Sequence, residues 1–147
     1  MGRRLPELSL SVQYGCKDPA LPSRSQVRRW LRASCGLPAE VAVRFVDAEE
    51  GRVLNAGFRH KDYATNVLSF AYETAPRVVG DIVICLPVVL AEAAAQHKGV
   101  EAHFAHLVVH GMLHLQGYDH ETGAADAARM ENKEREILDR LGYPDPY

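Results

Sequence analysis

The feature that most constrains this fold is a largely apolar stretch containing several histidines, which we predict to be a helix over residues 101–116. Gly117 ends it, because glycine readily adopts the left-handed conformation common after helix C-termini. A helix with so little polar surface is stable only when other elements cover it. We therefore predict that this helix lies in the middle of the fold.

Before this helix, the chain alternates between strand and helix patterns. Apolar and polar residues alternate over residues 8–14, residues 41–46 form a β-branched run, and capping residues precede the first two helices. The predicted elements are a strand over Leu8–Tyr14, a helix capped by Ser25, a strand over residues 41–46, a helix capped by Asp47, and strands over residues 66–71 and 81–85. A helix over residues 87–97 follows, and a last helix begins near Thr122 and ends at Gly142.

These elements indicate the α+β class, with a mixed four-stranded β-sheet packed against helices and a central metal-binding helix. We expect one domain over residues 1–147, which is long enough for a single core. No apolar run approaches the roughly 20 residues that span a bilayer. We therefore expect no membrane association and a cytoplasmic location.

Charge is distributed unevenly along the chain. Counting Lys and Arg against Asp and Glu, residues 1–61 carry a net charge of +5 and residues 62–147 a net charge of −7. An anionic partner would therefore be met mainly by the N-terminal half. Such clusters are equally typical of an ordinary solvated surface, so charge alone leaves both interpretations open.

His110 and His114 are four residues apart, a spacing that puts both side chains on one face of a helix. Two imidazoles so placed can each reach a zinc ion at about 2.0–2.1 Å. Gly117 allows the chain to turn back, so that His120 can supply a third ligand. Three histidines leave a fourth position for water, which is typical of a catalytic zinc site. We therefore predict one zinc ion bound by His110, His114 and His120.

His103 and His106 precede His110 by seven and four residues and share roughly the same face of the helix. Either residue could hydrogen-bond a metal ligand, serve as an extra ligand or pack in the core. Of these roles, we expect hydrogen bonding to a ligand or packing and not direct binding of the metal.

The string from His110 to His120 resembles the metzincin metalloproteases, whose motif is HExxHxxGxxH, in its three histidines and in Gly117. In that motif the glutamate after the first histidine is the general base. Here the position holds Gly111, which has no side chain to take a proton from water. The missing base disfavours a peptidase.

The same string is much more similar to HGxLHLxGYDH, the hallmark of the YbeY family of bacterial, metal-dependent, single-strand-specific endoribonucleases. Every fixed position between His110 and His120 matches. Upstream of this string, the segments LN, FR, TNVLSF and GDI occur in the family's order, so the resemblance covers residues from about 50 to 142. The chain departs at Asn66, where the family usually has aspartate, and at Ala71, where it has proline.

The resemblance implies a zinc-dependent endoribonuclease that acts in rRNA maturation, including 16S rRNA 3′-end processing, and in ribosome quality control. It implies that His110, His114 and His120 bind Zn2+ and that Arg59 is functionally required. A guanidinium can bond a phosphate through two donors, which suits a transition state that gathers negative charge. The implied partners are single-stranded RNA, an rRNA precursor and the ribosome or ribosomal proteins. Candidate contacts along the RNA backbone are Arg28, Arg29 and Lys61.

The chemistry leaves two nucleophiles open. The zinc ion would lower the pKa of its water toward about 7, and the resulting hydroxide would either attack phosphorus or deprotonate the ribose 2′-OH. The first path leaves ordinary phosphate ends and the second a cyclic phosphate. Two rival functions are a zinc peptidase and a non-catalytic ribosome assembly factor in which the metal stiffens the helix end.

Overall fold

A computed structural model describes residues 5–61, 64–119 and 121–147 of the chain. Its elements follow the order predicted from the sequence: β1 (Leu8–Tyr14), α1 (Arg24–Ser34), β2 (Ala39–Val46), α2 (Ala48–Arg59), β3 (Val67–Glu73), β4 (Val78–Cys85), α3 (Leu86–Ala95), α4 (Val100–Leu115) and α5 (Ala124–Leu141). Among the described residues, no helix is both long enough and apolar enough to cross a membrane.

The four strands form one mixed sheet in the order β1-β2-β4-β3. β1 pairs with β2 and β2 pairs with β4 in parallel, whereas β3 pairs with β4 in antiparallel fashion. The parallel pairs need crossover connections, which α1 and α2 help to provide. This arrangement confirms the predicted α+β class and leaves β3 as an edge strand.

The two faces of the sheet are covered by different helices. Side chains alternate along a strand, so neighbouring residues of β4 point to opposite faces. Ile82 and Ile84 join the main core with residues of α1, α4 and α5, whereas Val83 and Cys85 join a smaller cluster with Leu54 of α2. Therefore α1, α4 and α5 cover one face, and α2 packs on the other.

The predicted central helix is α4, in which ten of sixteen residues are buried. Glycines allow the helix to approach β4 closely. A Cβ atom at Gly111 would lie 3.0 Å from Ile82 Cγ2, and one at Gly80 would lie 2.6 Å from Leu115 Cδ2. The helix α4 thus packs directly on the sheet and lies in the middle of the fold, as predicted.

The predicted helix cap was wrong at α1. Ser23 caps this helix and not Ser25: its side chain accepts a hydrogen bond from the backbone N–H of Gln26, whose side chain accepts one from the backbone N–H of Ser23. This reciprocal pair needs a Glu or Gln three residues after the cap, which Ser25 lacks. Asp47 caps α2 as predicted.

Candidate active site

A cavity of about 550 Å³ lies beside the edge strand β3 and is bordered by the end of α2 and the histidine face of α4. Segments that are far apart in the sequence form its wall. The lining residues are Phe58, Arg59, Thr65, Asn66, Val67, Leu68, Ser69, Phe70, His106, Leu107, His110, His114, Asp119, Glu121 and Tyr147. The cavity therefore combines aromatic, cationic and potential metal-binding side chains.

Two of the predicted zinc ligands, His110 and His114, lie on the wall of this cavity. They are one turn apart on α4, with ring centroids separated by 5.1 Å and ring planes inclined by 73°. This proximity is what the four-residue spacing predicts. Because both rings border the same cavity, both can contribute nitrogen ligands to one ion there.

The chain turns away at the end of α4 as the sequence predicts. Gly117 has a φ of 98°, in the left-handed region that favours glycine. The backbone N–H of Tyr118 donates to the carbonyl of Leu113 at 3.1 Å, which closes the helix end. Asp119 then reaches the cavity. His120, the third predicted ligand, lies outside the described residues, so its role stays a prediction.

A buried carboxylate, Glu134 of α5, connects the histidines to the core. Its Oε1 lies 2.5 Å from Nδ1 of His110, and its Oε2 lies 3.4 Å from Nε2 of His106 and accepts a hydrogen bond from the Tyr147 hydroxyl. Burial raises the pKa of Glu134, but the hydrogen bonds from His106 and His110 outweigh this effect, and the pKa is about 2. The carboxylate is therefore ionised and accepts from three side chains.

His106, His110 and Glu134 form a group that could hold a metal ion, since one ligand atom of each lies within 4.8 Å of the others. The distance between His110 and Glu134 indicates a different arrangement. Two ligands of a tetrahedral zinc ion are about 3.3 Å apart, because each bond is about 2.0–2.1 Å long. The observed 2.5 Å is instead a short, charge-assisted hydrogen bond. Glu134 thus has the geometry of a carboxylate that orients a metal-binding histidine, whose Nε2 would bind the ion.

Arg59, the last residue of α2, lines the same cavity. Its Nη2 lies 3.4 Å from Oε1 of Glu121, and 39% of its side chain is exposed. An exposed ion pair of this length contributes little stability. The guanidinium can therefore exchange its carboxylate partner for a phosphate at small cost.

Comparison with known proteins places the chain in a family. The family model for Endoribonuclease YbeY matches residues 22–142. The chain belongs to the YbeY endoribonuclease family. An Endoribonuclease YbeY of Burkholderia lata is 55% identical over 98% of this chain and 88% of its own length. An Endoribonuclease YbeY of Burkholderia pseudomallei is 53% identical over 98% of this chain and 82% of its own length.

A solved structure is similar in fold. The solution structure of TM1509 from Thermotoga maritima matches with a TM-score of 0.62 and 26% identity, and covers 90% of this chain and 88% of that chain. As a member of the YbeY family, the protein is an endoribonuclease and hence a hydrolase.

The predicted RNA-binding residues occupy different places in the fold. Arg28 and Arg29 lie on α1, where their Nη2 atoms donate to the carbonyls of Leu8 at 3.3 Å and Leu141 at 2.8 Å. Neither residue lines the described cavity. Lys61 is exposed and follows the end of α2, two residues after Arg59. Contact of Arg28, Arg29 and Lys61 with RNA stays a prediction.

Asn66, one of the departures from the YbeY pattern, belongs to a second polar network. Its Nδ2 donates to Oε1 of Glu92 at 3.1 Å, and the same oxygen lies 2.9 Å from Nε2 of His103. Burial lowers the pKa of His103, although Glu92 opposes the shift. Asn66 thus places an N–H donor, and not a second carboxylate, beside Glu92. His103 pairs with Glu92, whereas His106 joins the Glu134 network.

Sequence reasoning missed Glu134 and Tyr147. Glu134 lies four residues after Met130 and three before Ile137, on the apolar face of α5. A glutamate at such a position was a usable signal, because a fully buried charge is rare unless it is paired. Tyr147 packs edge-on against His106, with ring centroids 5.3 Å apart. It lies beyond the last helix, so no periodicity could have indicated this contact.

Proposed function

We propose that this protein is a zinc-dependent endoribonuclease that cleaves single-stranded RNA. We further propose that it processes the 3′ end of 16S rRNA from its precursor, takes part in ribosome quality control and acts on or near the ribosome in the cytoplasm. Family membership supports cleavage of RNA. The zinc ion, the single-strand specificity and the ribosomal setting are the parts of the proposal that need experiments.

One observation carries the proposal: His110, His114 and Arg59 line the same cavity, and Glu134 orients the His110 ring from behind. By accepting a hydrogen bond from Nδ1, Glu134 leaves the proton on that nitrogen and the lone pair on Nε2. This is the tautomer that a metal ion requires. Together with His114, and with His120 as the proposed third ligand, the donor set suits zinc.

The chain's own residues supply the remaining requirements of phosphodiester cleavage. Zinc bound at this site would supply a Lewis acid and an activated nucleophile near neutral pH. Arg59 would bond the non-bridging oxygens of the scissile phosphate, where negative charge increases in the transition state. Its position on the cavity wall beside Phe58 leaves it within reach of a strand lying in the cavity.

The packing around Gly111 argues against the alternative of a peptidase. A glutamate base at this position would need a Cβ atom only 3.0 Å from Ile82 Cγ2 and 3.2 Å from Ser69 Oγ. Ile82 is fully buried and cannot move aside easily. The base of the metzincin motif is absent from this chain, and a side chain at this position would force Ile82 or Ser69 to shift.

The purified protein should be incubated with labelled single-stranded RNA, with the same RNA annealed to its complement, and with an unstructured protein. We expect cleavage of the single strand alone, its loss on treatment with a chelator, and its recovery when zinc is added back. The chemistry of the product ends distinguishes attack by water from attack by the 2′-OH. Cleavage that persists after complete metal removal would disprove the zinc-dependent reaction.

The variant Arg59→Ala tests the role of the guanidinium. We expect kcat to fall roughly 100- to 1,000-fold, as is usual when one transition-state donor is lost. Zinc content should stay unchanged, which separates this effect from loss of the metal site. Arg77→Ala is the matched control, since Arg77 is an exposed arginine with glutamate partners and does not line the cavity. Wild-type activity in Arg59→Ala would exclude this role.

A further inference from the structure

Phe58 is an exposed aromatic residue on the wall of the cavity. It precedes Arg59 at the end of α2, and 64% of its surface is accessible. Exposing a large aromatic side chain to water is unfavourable, and this ring lies where a substrate would lie. The proposed bond of Arg59 to a phosphate does not explain why the ring of Phe58 is exposed.

The ring of Phe58 is nevertheless held in place. Its centroid lies 4.8 Å from that of Phe70, with the planes inclined by 59°. Phe70 is half-buried and packs against the smaller core cluster that contains Val83 and Cys85. Phe58 therefore has a fixed contact on one side and a large accessible surface, as a preformed stacking platform requires.

We propose that Phe58, supported by Phe70, stacks one nucleobase of the RNA strand whose phosphate is bonded by Arg59; this subsite rests on the proposed function. A nucleotide combines a flat, apolar base with an anionic phosphate, joined by a sugar. The neighbouring side chains of Phe58 and Arg59 offer the matching pair of surfaces on one cavity wall. Exposed Lys61 adds positive charge nearby, which favours RNA over an apolar segment of a protein partner.

Such a subsite would also account for a preference for single strands. In a duplex, each base is stacked between its neighbours and paired at its edge, so its faces are covered. An unpaired base can swing out and stack on an aromatic ring. Stacking is tolerant of sequence because every base has a π face, so we expect this subsite to select strandedness more than base identity.

The test uses the full protein loaded with zinc and single-stranded oligoribonucleotides of one sequence, intact or with one abasic ribose. Moving the abasic position along the strand should reveal one site, next to the cleaved bond, where removal of the base raises KM about 5- to 150-fold. Phe58→Leu should raise KM for the intact strand by a similar factor while kcat changes little. The same variant should no longer distinguish the abasic strand from the intact one, whereas Phe58→Tyr should restore the distinction.

Tyr72→Leu is the control, because Tyr72 is 66% exposed on β3 and does not line the cavity. It should leave KM unchanged. Wild-type protein that cleaves the strand without any abasic position raising KM would overturn the subsite, even if Phe58→Leu failed to fold. An unchanged KM in folded Phe58→Leu would also overturn it and would point to a protein partner for the ring. Wild-type protein that does not cleave single strands would instead contradict the proposed function.

Discussion

At the scale of single residues, Glu134 links the candidate metal site to the core. The residue has no exposed surface, and the side chains of His110, His106 and Tyr147 surround its carboxylate. An isolated buried charge would be strongly unfavourable, so these partners are required for the carboxylate to remain ionised. In return, the carboxylate fixes the orientation of His110 toward the cavity.

Replacing Glu134 should therefore weaken metal binding. We expect Glu134→Gln to raise the Kd for zinc about 10- to 100-fold, because the amide keeps the shape but loses the charge that would strengthen His110 as the proposed ligand. Competition with a chromophoric chelator measures this change without relying on activity. Glu136→Gln, at an exposed position of the same helix, is the control. Equal zinc affinities for the two variants would show that Glu134 does not act on the ligand.

The low pKa of Glu134 also predicts how stability depends on pH. Its pKa is about 2 in the folded protein against an ordinary value of 4.5. Because the folded value is the lower one, the stabilisation is fully present above pH 4.5 and is lost as the pH falls toward 2.

Urea unfolding of metal-free protein near pH 6 and near pH 3 measures this effect. Between these conditions the wild type should lose about 2 kcal/mol more free energy of unfolding than Glu134→Gln, which cannot titrate at this position. Equal losses in both proteins would contradict the shifted pKa.

At the scale of elements, the site depends on the close contact between α4 and β4. Gly111 allows this contact, since a Cβ atom there would lie 3.0 Å from the fully buried Ile82. His106, His110 and His114 of α4 border the cavity beside β3, and this close packing of the helix on the sheet holds them there. A glycine within a helix is by itself destabilising relative to alanine. The packing of α4 against β4 must therefore contribute more than the low helix propensity of Gly111 costs.

Two glycine substitutions separate packing from propensity. Gly111→Ala should destabilise the protein by about 1–3 kcal/mol, because overpacking exceeds the gain in helix propensity. Gly57→Ala, on α2 where nothing lies within 4 Å of the added Cβ, should instead stabilise it by up to about 1 kcal/mol. Chemical unfolding measures both values. Stabilisation by Gly111→Ala would show that α4 can shift away from β4 freely.

At the scale of the whole molecule, the basic N-terminal half is divided between the two faces of the sheet. Arg28 and Arg29 lie on α1, while Arg59 and Lys61 lie at the end of α2 on the other side of the sheet. Arg59 still reaches the cavity because β3 is an edge strand and leaves that side open. An RNA strand that leaves the cavity would pass Lys61, at the end of α2, before it reached α1.

The salt dependence of RNA binding reports which of these cations touch phosphates. Each contact with a single strand contributes about 0.7 to the slope of log affinity against log salt concentration. We expect Lys61→Ala to reduce the slope by about this amount in fluorescence anisotropy titrations. The same comparison with Arg28→Ala and Arg29→Ala decides whether the strand extends to α1. A slope unchanged in Lys61→Ala would remove Lys61 from the RNA path.

Local patterns in the sequence determined much of the fold. Apolar patterns of strands and helices, helix caps and helix-ending glycines act over a few residues, so they predicted the order and type of the four strands and five helices of the described residues. They also predicted that His110 and His114 share a face of α4 and that Gly117 has positive φ. The position of the α1 cap was missed because both Ser23 and Ser25 could cap the helix. Only Gln26, three residues after Ser23, distinguishes the two.

Tertiary packing alone decided what surrounds those histidines. The contact of His110 with Glu134 spans 24 residues, and that of Arg59 with Glu121 spans 62. Such contacts depend on how α5 crosses α4 and on where α2 ends relative to β3, and no local periodicity records these relations. The sequence by itself therefore determined the likeness to the YbeY endoribonucleases, while only the packing of distant elements placed an arginine and an exposed phenylalanine on one cavity wall and a buried carboxylate behind His110.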